Sequence, residues 1–163
     1  MGIDCHMYIV KNKEYVKENI FDGRNSEWFF NMMGDGNADE YNTLPIHYGI
    51  SEQSPDAYDA EFSNWCFSFR YINVEDFKNW FEKTRPDKDA GWVTRYDKWA
   101  YENKGIEPEE ICHYLSSLGD EVDKSEFEFI EIENRWDCSR WLYNYLIDND
   151  ISDEADIQYC FDH

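Results

Sequence analysis

A chain of 163 residues with 36 acids against 15 bases carries a formal net charge of −21, which disfavours direct binding to DNA, RNA or an anionic membrane, because phosphate recognition needs lysine and arginine. Its 7 Trp, 12 Tyr and 11 Phe make 18% of the chain and exclude the acidic disordered class, which is poor in rings. The length suits one domain over residues 1–163.

From the N-terminus, Ile3, Cys5, Met7 and Ile9 alternate with Asp4, His6 and Tyr8, which predicts a strand buried on at least one face. Lys11-Asn12-Lys13 is a polar turn, and residues 14–21 are the returning strand of a hairpin. Asn25-Ser26 caps a helix through Met33, with Trp28, Phe29, Met32 and Met33 as its apolar face and Gly34 as its stop. Residues 35–63 carry Gly, Pro, Asn and Asp throughout and read as a long loop or a set of short pieces. Such a stretch is unusual in a compact domain and often functional.

Residues 65–72 read as a strand. Asn73 caps the next helix, where Glu75 and Asp76 favour the dipole, Phe77, Trp80 and Phe81 face inward and Pro86 follows the end. Two further helices are predicted. One spans 90–103, with Trp92, Tyr96, Trp99 and Ala100 on one stripe and Gly105 as its stop. The other starts at Pro108, with Ile111, Tyr114, Leu115 and Leu118 inward. Residues 126–133 alternate carboxylates with apolar groups as a half-buried strand does, and the phase slips between Phe129 and Ile130, which predicts a bulge or twist. Residues 134–139 form a turn that caps a helix in which Trp141, Leu142, Tyr145 and Leu146 recur. Residues 156–161 are a last short strand. Strands and helices do not alternate regularly, so the expected fold class is α+β, a mainly antiparallel sheet of about five strands packed with about five helices.

The opening Met1-Gly2-Ile3-Asp4, followed by Met7 and Tyr8, resembles uncharacterised small proteins of phages and prophages that start Met-Gly-Leu-Asp-Met-Tyr. Ser26-Glu27-Trp28-Phe29 is similar to a Trp-Phe helix found after that opening. Cys5-His6 departs from the Met that usually follows the Asp. The resemblance covers only the N-terminal part of the chain. It implies a mobile-element origin and brings no catalytic set.

Signals for chemistry are sparse. Asp35-Gly36-Asn37-Ala38-Asp39 begins like a calcium loop, but Glu40 stands where Gly is needed and Ile46 where a bidentate Glu is needed, so a polar turn is the better reading. Asp4 and His6 share a strand face, and a carboxylate can orient an imidazole for acid–base work or metal ligation. His47, His113 and His163 form no motif with them. Zinc spacing, G-x-S-x-G, Walker A and G-x-G-x-x-G are absent from the sequence. Ser139 beside Cys138 reads as a helix cap rather than a nucleophile. The chain therefore reads as a non-enzyme with no cofactor and no metal. Its five cysteines, Cys5, Cys66, Cys112, Cys138 and Cys160, include no C-x-x-C pair, as expected of reduced thiols in the cytoplasm, which is the host's if the chain is phage-encoded. No secretory or transmembrane run is present, so no membrane partner is expected.

The charge is uneven. Residues 25–69 hold eight acids and no base, and residues 117–163 hold fourteen acids and three bases. Positions i and i+2 of a strand are roughly 6.6 Å apart, and a DNA strand carries a phosphate about every 3.4 Å, so Glu126 with Glu128 and Glu131 with Glu133 could each stand near every second phosphate. These four with Asp148, Asp150, Asp153 and Glu154 form the first candidate partner surface. Asp35, Asp39, Glu40, Asp56, Asp59 and Glu61 form the second. The expected function is a phage-type inhibitor that mimics nucleic acid in the basic groove of a host defence nuclease, anti-CRISPR or anti-restriction. Its expected partner is a basic nucleic-acid-binding protein, such as a CRISPR effector or a restriction enzyme, rather than nucleic acid itself. The alternatives are an acidic protein-binding or regulatory module without mimicry, and a small enzyme or ligand-sequestering protein that uses the Asp4/His6 face.

Overall fold

The hairpin at the N-terminus sets the frame. β1 (Asp4–Lys11) and β2 (Glu14–Arg24) pair antiparallel, with Lys11 opposite Glu14. The two linking residues, Asn12 (φ 53°) and Lys13 (φ 66°), are both left-handed, and this kind of turn matches the twist of the flanking strands. The computed structural model describes residues 2–24, 27–36, 38–62, 66–134 and 137–162. The expected cap at Asn25-Ser26 and the start of the predicted strand at Trp65 lie outside the described residues.

The fold is α+β, and the described residues form a five-stranded antiparallel sheet, a two-stranded sheet and five α-helices. β7 (Asp156–Asp162), last in sequence, lies at the centre of the large sheet between β1 and β4 (Cys66–Asn73), and β4 carries the edge strand β3 (His47–Tyr48). A strand covered on both faces reads as a continuous buried run, and β7 is buried from Asp156 to Phe161. On one face Cys5, Met7, Ile9, Ile157, Tyr159 and Phe161 join a core with α1 (Glu27–Met33), α3 (Val74–Thr84) and α5 (Ser139–Asp148). On the other, Tyr8, Val10 and Cys160 pack with Tyr58 and Phe62 of α2 (Asp56–Phe62). Cys5 and Cys160 are buried in these two separate clusters.

Local capping follows the sequence closely in α3. The Asn73 side chain accepts from the Asp76 N–H at 3.1 Å, and Arg85 closes the helix in the left-handed conformation. The stretch 35–63 is a set of short pieces: a 3₁₀ turn at Asp39–Thr43, then β3, then α2. Buried polar groups hold it down. Gln158 of the central strand accepts from the Ser51 N–H at 2.7 Å and from the Ser54 hydroxyl at 2.9 Å, and Ser51 donates to Asp156 at 2.5 Å.

By compactness the chain forms two units, Met1–Pro86 with Trp136–His163, and Asp87–Arg135. In the second, β5 (Lys88–Thr94) pairs antiparallel with β6 (Phe127–Glu133), and α4 (Arg95–Lys104) follows β5. The helix expected over 90–103 thus begins only at Arg95, where Thr94 accepts from the Asp97 N–H at 3.2 Å, and Gly105 ends it at φ 66°. The distant strand partner claims residues 88–94, which no local period reveals. The helix expected from Pro108 is absent. Cys112 instead exchanges backbone hydrogen bonds with Trp92 at 2.7 and 2.9 Å, and only Leu115–Ser117 makes a 3₁₀ turn. No bulge occurs at Phe129-Ile130. The register from Lys88↔Glu133 to Thr94↔Phe127 is unbroken, so the phase slip puts Ile130 on the buried face and leaves Phe129 exposed.

Candidate partner surface

All the candidate carboxylates stand in solvent except Glu128, which is half-buried. Glu128 faces Arg95 at 3.5 Å and Lys98 at 3.7 Å, and Glu131 faces Lys88 at 2.9 Å. Because β6 is regular, Glu128 shares a face with Ile130, and Glu131 and Glu133 share the other with Phe129. Glu126 precedes the strand, in the 3₁₀ turn Lys124–Glu126. Of the two expected pairs, Glu126 with Glu128 does not lie within the strand, and Glu131 with Glu133 keeps strand spacing on one face.

The remaining candidates belong to the first unit. Asp148 ends α5, and Asp150 follows it in the left-handed conformation at φ 51°. Asp153 pairs with Lys78, and Glu154 faces Lys11 at 3.6 Å. Asp35, Asp39 and Glu40 lie at or just before the 3₁₀ turn whose Tyr41 enters the larger core cluster, while Asp56, Asp59 and Glu61 ride on α2, over the opposite face of the sheet. The second candidate surface is thus two patches. Asp56 lies 3.8 Å from Lys13. Glu61 accepts from the Tyr15 hydroxyl at 3.2 Å; burial, then the charge of Glu61, pushes that hydroxyl up to about 12.

The Asp4/His6 face resolves into two contacts. Arg24 binds both oxygens of Asp4, at 2.8 and 3.2 Å, and the His6 ring lies 5.9 Å from the Phe62 ring. Among the described residues no group of three or more His, Cys, Asp or Glu is placed to hold a metal ion. Among the same residues no helix is long and apolar enough to cross a membrane.

Ser139 is not the helix cap. Cys138 holds the cap position, Asp137 before it accepts the Ser139 N–H at 2.7 Å, and the buried Ser139 hydroxyl meets Tyr41 at 2.5 Å and the Trp28 indole N–H at 3.2 Å. Tyr41 also donates to Asp137. Burial and the Asp137 charge push the Tyr41 hydroxyl far above its ordinary value, and the same two causes raise the neighbouring Cys138 thiol. Ser139 and Tyr41 are buried, and hydrogen bonds inside the core engage both hydroxyls.

Sequence reasoning missed a cleft of about 630 Å³ in the second unit. Its lining combines the apolar Trp92, Ile106, Ile111, Leu118 and Phe127 with the acidic Asp97, Glu107, Glu109 and Glu110, and among the described residues it includes no Lys or Arg. Around it the unit leaves large apolar groups in solvent: Tyr114 is 73% exposed, Tyr96 66%, Ile106 53%, Phe129 53% and Trp99 48%. The signal was the acids Glu107, Glu109 and Glu110 set between Ile106 and the apolar Ile111, Tyr114, Leu115 and Leu118, a spacing that also fits an amphipathic helix. Comparison with known proteins adds nothing further, since no family model, curated protein or solved structure matches the chain.

Proposed function

We propose that this protein is a phage-type acidic inhibitor that offers carboxylates to the basic nucleic-acid groove of a host defence nuclease, a CRISPR effector or a restriction enzyme. The observation that carries the reading is the solvent exposure of all but one of the candidate carboxylates, on a chain whose residues 25–69 contain no base. Carboxylates held on a folded surface can pair with the arginines and lysines that otherwise hold phosphate, and long-range attraction speeds the encounter. The phage-like opening at residues 1–8 supports the same origin.

The test is association with a basic nuclease at low and high salt. E131Q/E133Q and D148N/D150N should each fold and associate more slowly, with the difference shrinking as salt rises. Unchanged affinity of both variants at low salt would rule these acids out as the contact. The protein itself should not bind duplex DNA at physiological salt, and micromolar binding by anisotropy would count against the reading.

A second reading, an acidic protein-binding module without mimicry, is favoured by the exposed rings of the second unit, which a phosphate mimic does not require. Partner binding that persists at high salt and is lost in Y96S/Y114S would select it.

A further inference from the structure

We infer that the cleft in Asp87–Arg135 is a docking site for a basic peptide segment of a partner protein, one that presents arginine or lysine beside an apolar side chain. The inference does not depend on nucleic-acid mimicry, which needs only exposed charge. It rests on a shaped cavity with two chemistries in one place.

The cleft is built by a close approach of backbones. At Gly91 an added Cβ would lie 2.3 Å from the Ile111 side chain and 2.6 Å from the Cys112 carbonyl oxygen, so glycine is what lets the returning chain pair with Trp92. Gly105 turns the chain back from α4, and Ile106 donates to the Ala100 carbonyl at 3.3 Å. The segment then runs without regular secondary structure, bending at Glu109, to Cys112, and the cleft opens between it and the end of β5. Its volume, about 630 Å³, falls within the range of clefts that bury several side-chain-sized groups.

The lining selects the occupant. Among the described residues, Glu109 and Glu110 are exposed and make no ion pair, and no cation lines the cleft. An anion, a nucleotide or an acidic membrane would meet only like charge there, and a second copy of this chain would bring its own net charge of −21. A lysine or arginine fits both parts. Its aliphatic stem lies along apolar surface while its head reaches the carboxylates. An adjacent leucine or aromatic would cover the exposed Ile106. Apolar and acidic lining together specify a basic-apolar sequence, whereas charge alone would accept any basic one.

The experiment is heteronuclear NMR on the intact protein with three capped five-residue peptides, Gly-Arg-Leu-Arg-Gly, Gly-Arg-Gly-Arg-Gly and Gly-Glu-Leu-Glu-Gly. The first should shift amide signals of residues 92–97 and 106–118. The second should bind several-fold more weakly and the third should leave the spectrum unchanged. E109Q/E110Q should weaken the first peptide by about tenfold while preserving the fold by circular dichroism, and E102Q, outside the cleft on α4, should not change it. Equal shifts from the first two peptides would reduce the site to non-specific charge and overturn the proposal. So would the absence of any shift in the cleft at millimolar peptide. Neither outcome bears on nuclease inhibition, which is read separately in the Gln and Asn variants above.

Discussion

The two compact units bury their rings to different degrees, although Tyr48 of the first is also exposed. Around the central strand β7, the first unit encloses Trp28, Phe29, Tyr58, Phe77, Tyr159 and Phe161 almost completely. The second buries Val93, Ala100 and Ile130, while Tyr96, Trp99, Tyr114 and Phe129 remain in solvent. Layering explains the difference. A five-stranded sheet with helices on both faces can close over its side chains, whereas two strands and one helix have too few faces to do so. In the first unit the rings contribute stability; in the second they are available to a partner. Acids cover both.

The comparison breaks most visibly if core truncation costs the same in both places. L142A removes a fully buried side chain under the sheet and should destabilise by about 2–5 kcal/mol in urea titration, whereas Y114S should stay within about 0.5 kcal/mol. Equal losses would mean that Tyr114 is packed, contrary to its exposure.

G91A sharpens it next. The added methyl must push back Ile111 and the Cys112 carbonyl, at about 1–3 kcal/mol. Hydrogen exchange should quicken in β5 and around Cys112 and leave β7 protected. Faster exchange spread evenly through β7 would show that the two units do not respond separately.

Alkali should act on the first unit. Tyr15 ionises near 12 in the folded chain against about 10 in the unfolded one, and burial also raises Tyr159. Their stabilising contribution is complete below pH 10 and is lost as pH rises from there through the folded values, because only the unfolded chain releases its protons in that window. Chemical unfolding followed from pH 9 to 12 should show a falling midpoint, and Y15F should flatten the lower part of that fall. A midpoint independent of pH across the window would contradict the assignment.

The smallest effect belongs to the acids. E131Q gives up one exposed pair with Lys88 and should change stability by no more than about 1 kcal/mol, while slowing association with a basic partner. A larger loss of stability would place Glu131 in the framework of the second unit rather than on its surface.

The sequence by itself determined the features whose cause is local. The hairpin follows from alternation ended by Asn12 and Lys13, α3 from the Asn73 cap and the spacing of Phe77, Trp80 and Phe81, and the acid surface from composition. The α+β class was legible for the same reason. The tertiary structure alone decided what depends on distant partners. Residues 90–94 became strand because β6 pairs with them, and 106–118 became the wall of a cleft because Gly91 admits a second backbone. The slip at Phe129-Ile130 became a change of face instead of a bulge. Ser139 became the first residue of α5 rather than its cap, with its hydroxyl engaged by Tyr41, 98 positions away. The last strand became the centre of the sheet through its two neighbours. Helical and strand periods report which side of a segment is apolar, and in short segments they overlap. The choice between them rests on which remote backbone satisfies the N–H and C=O groups.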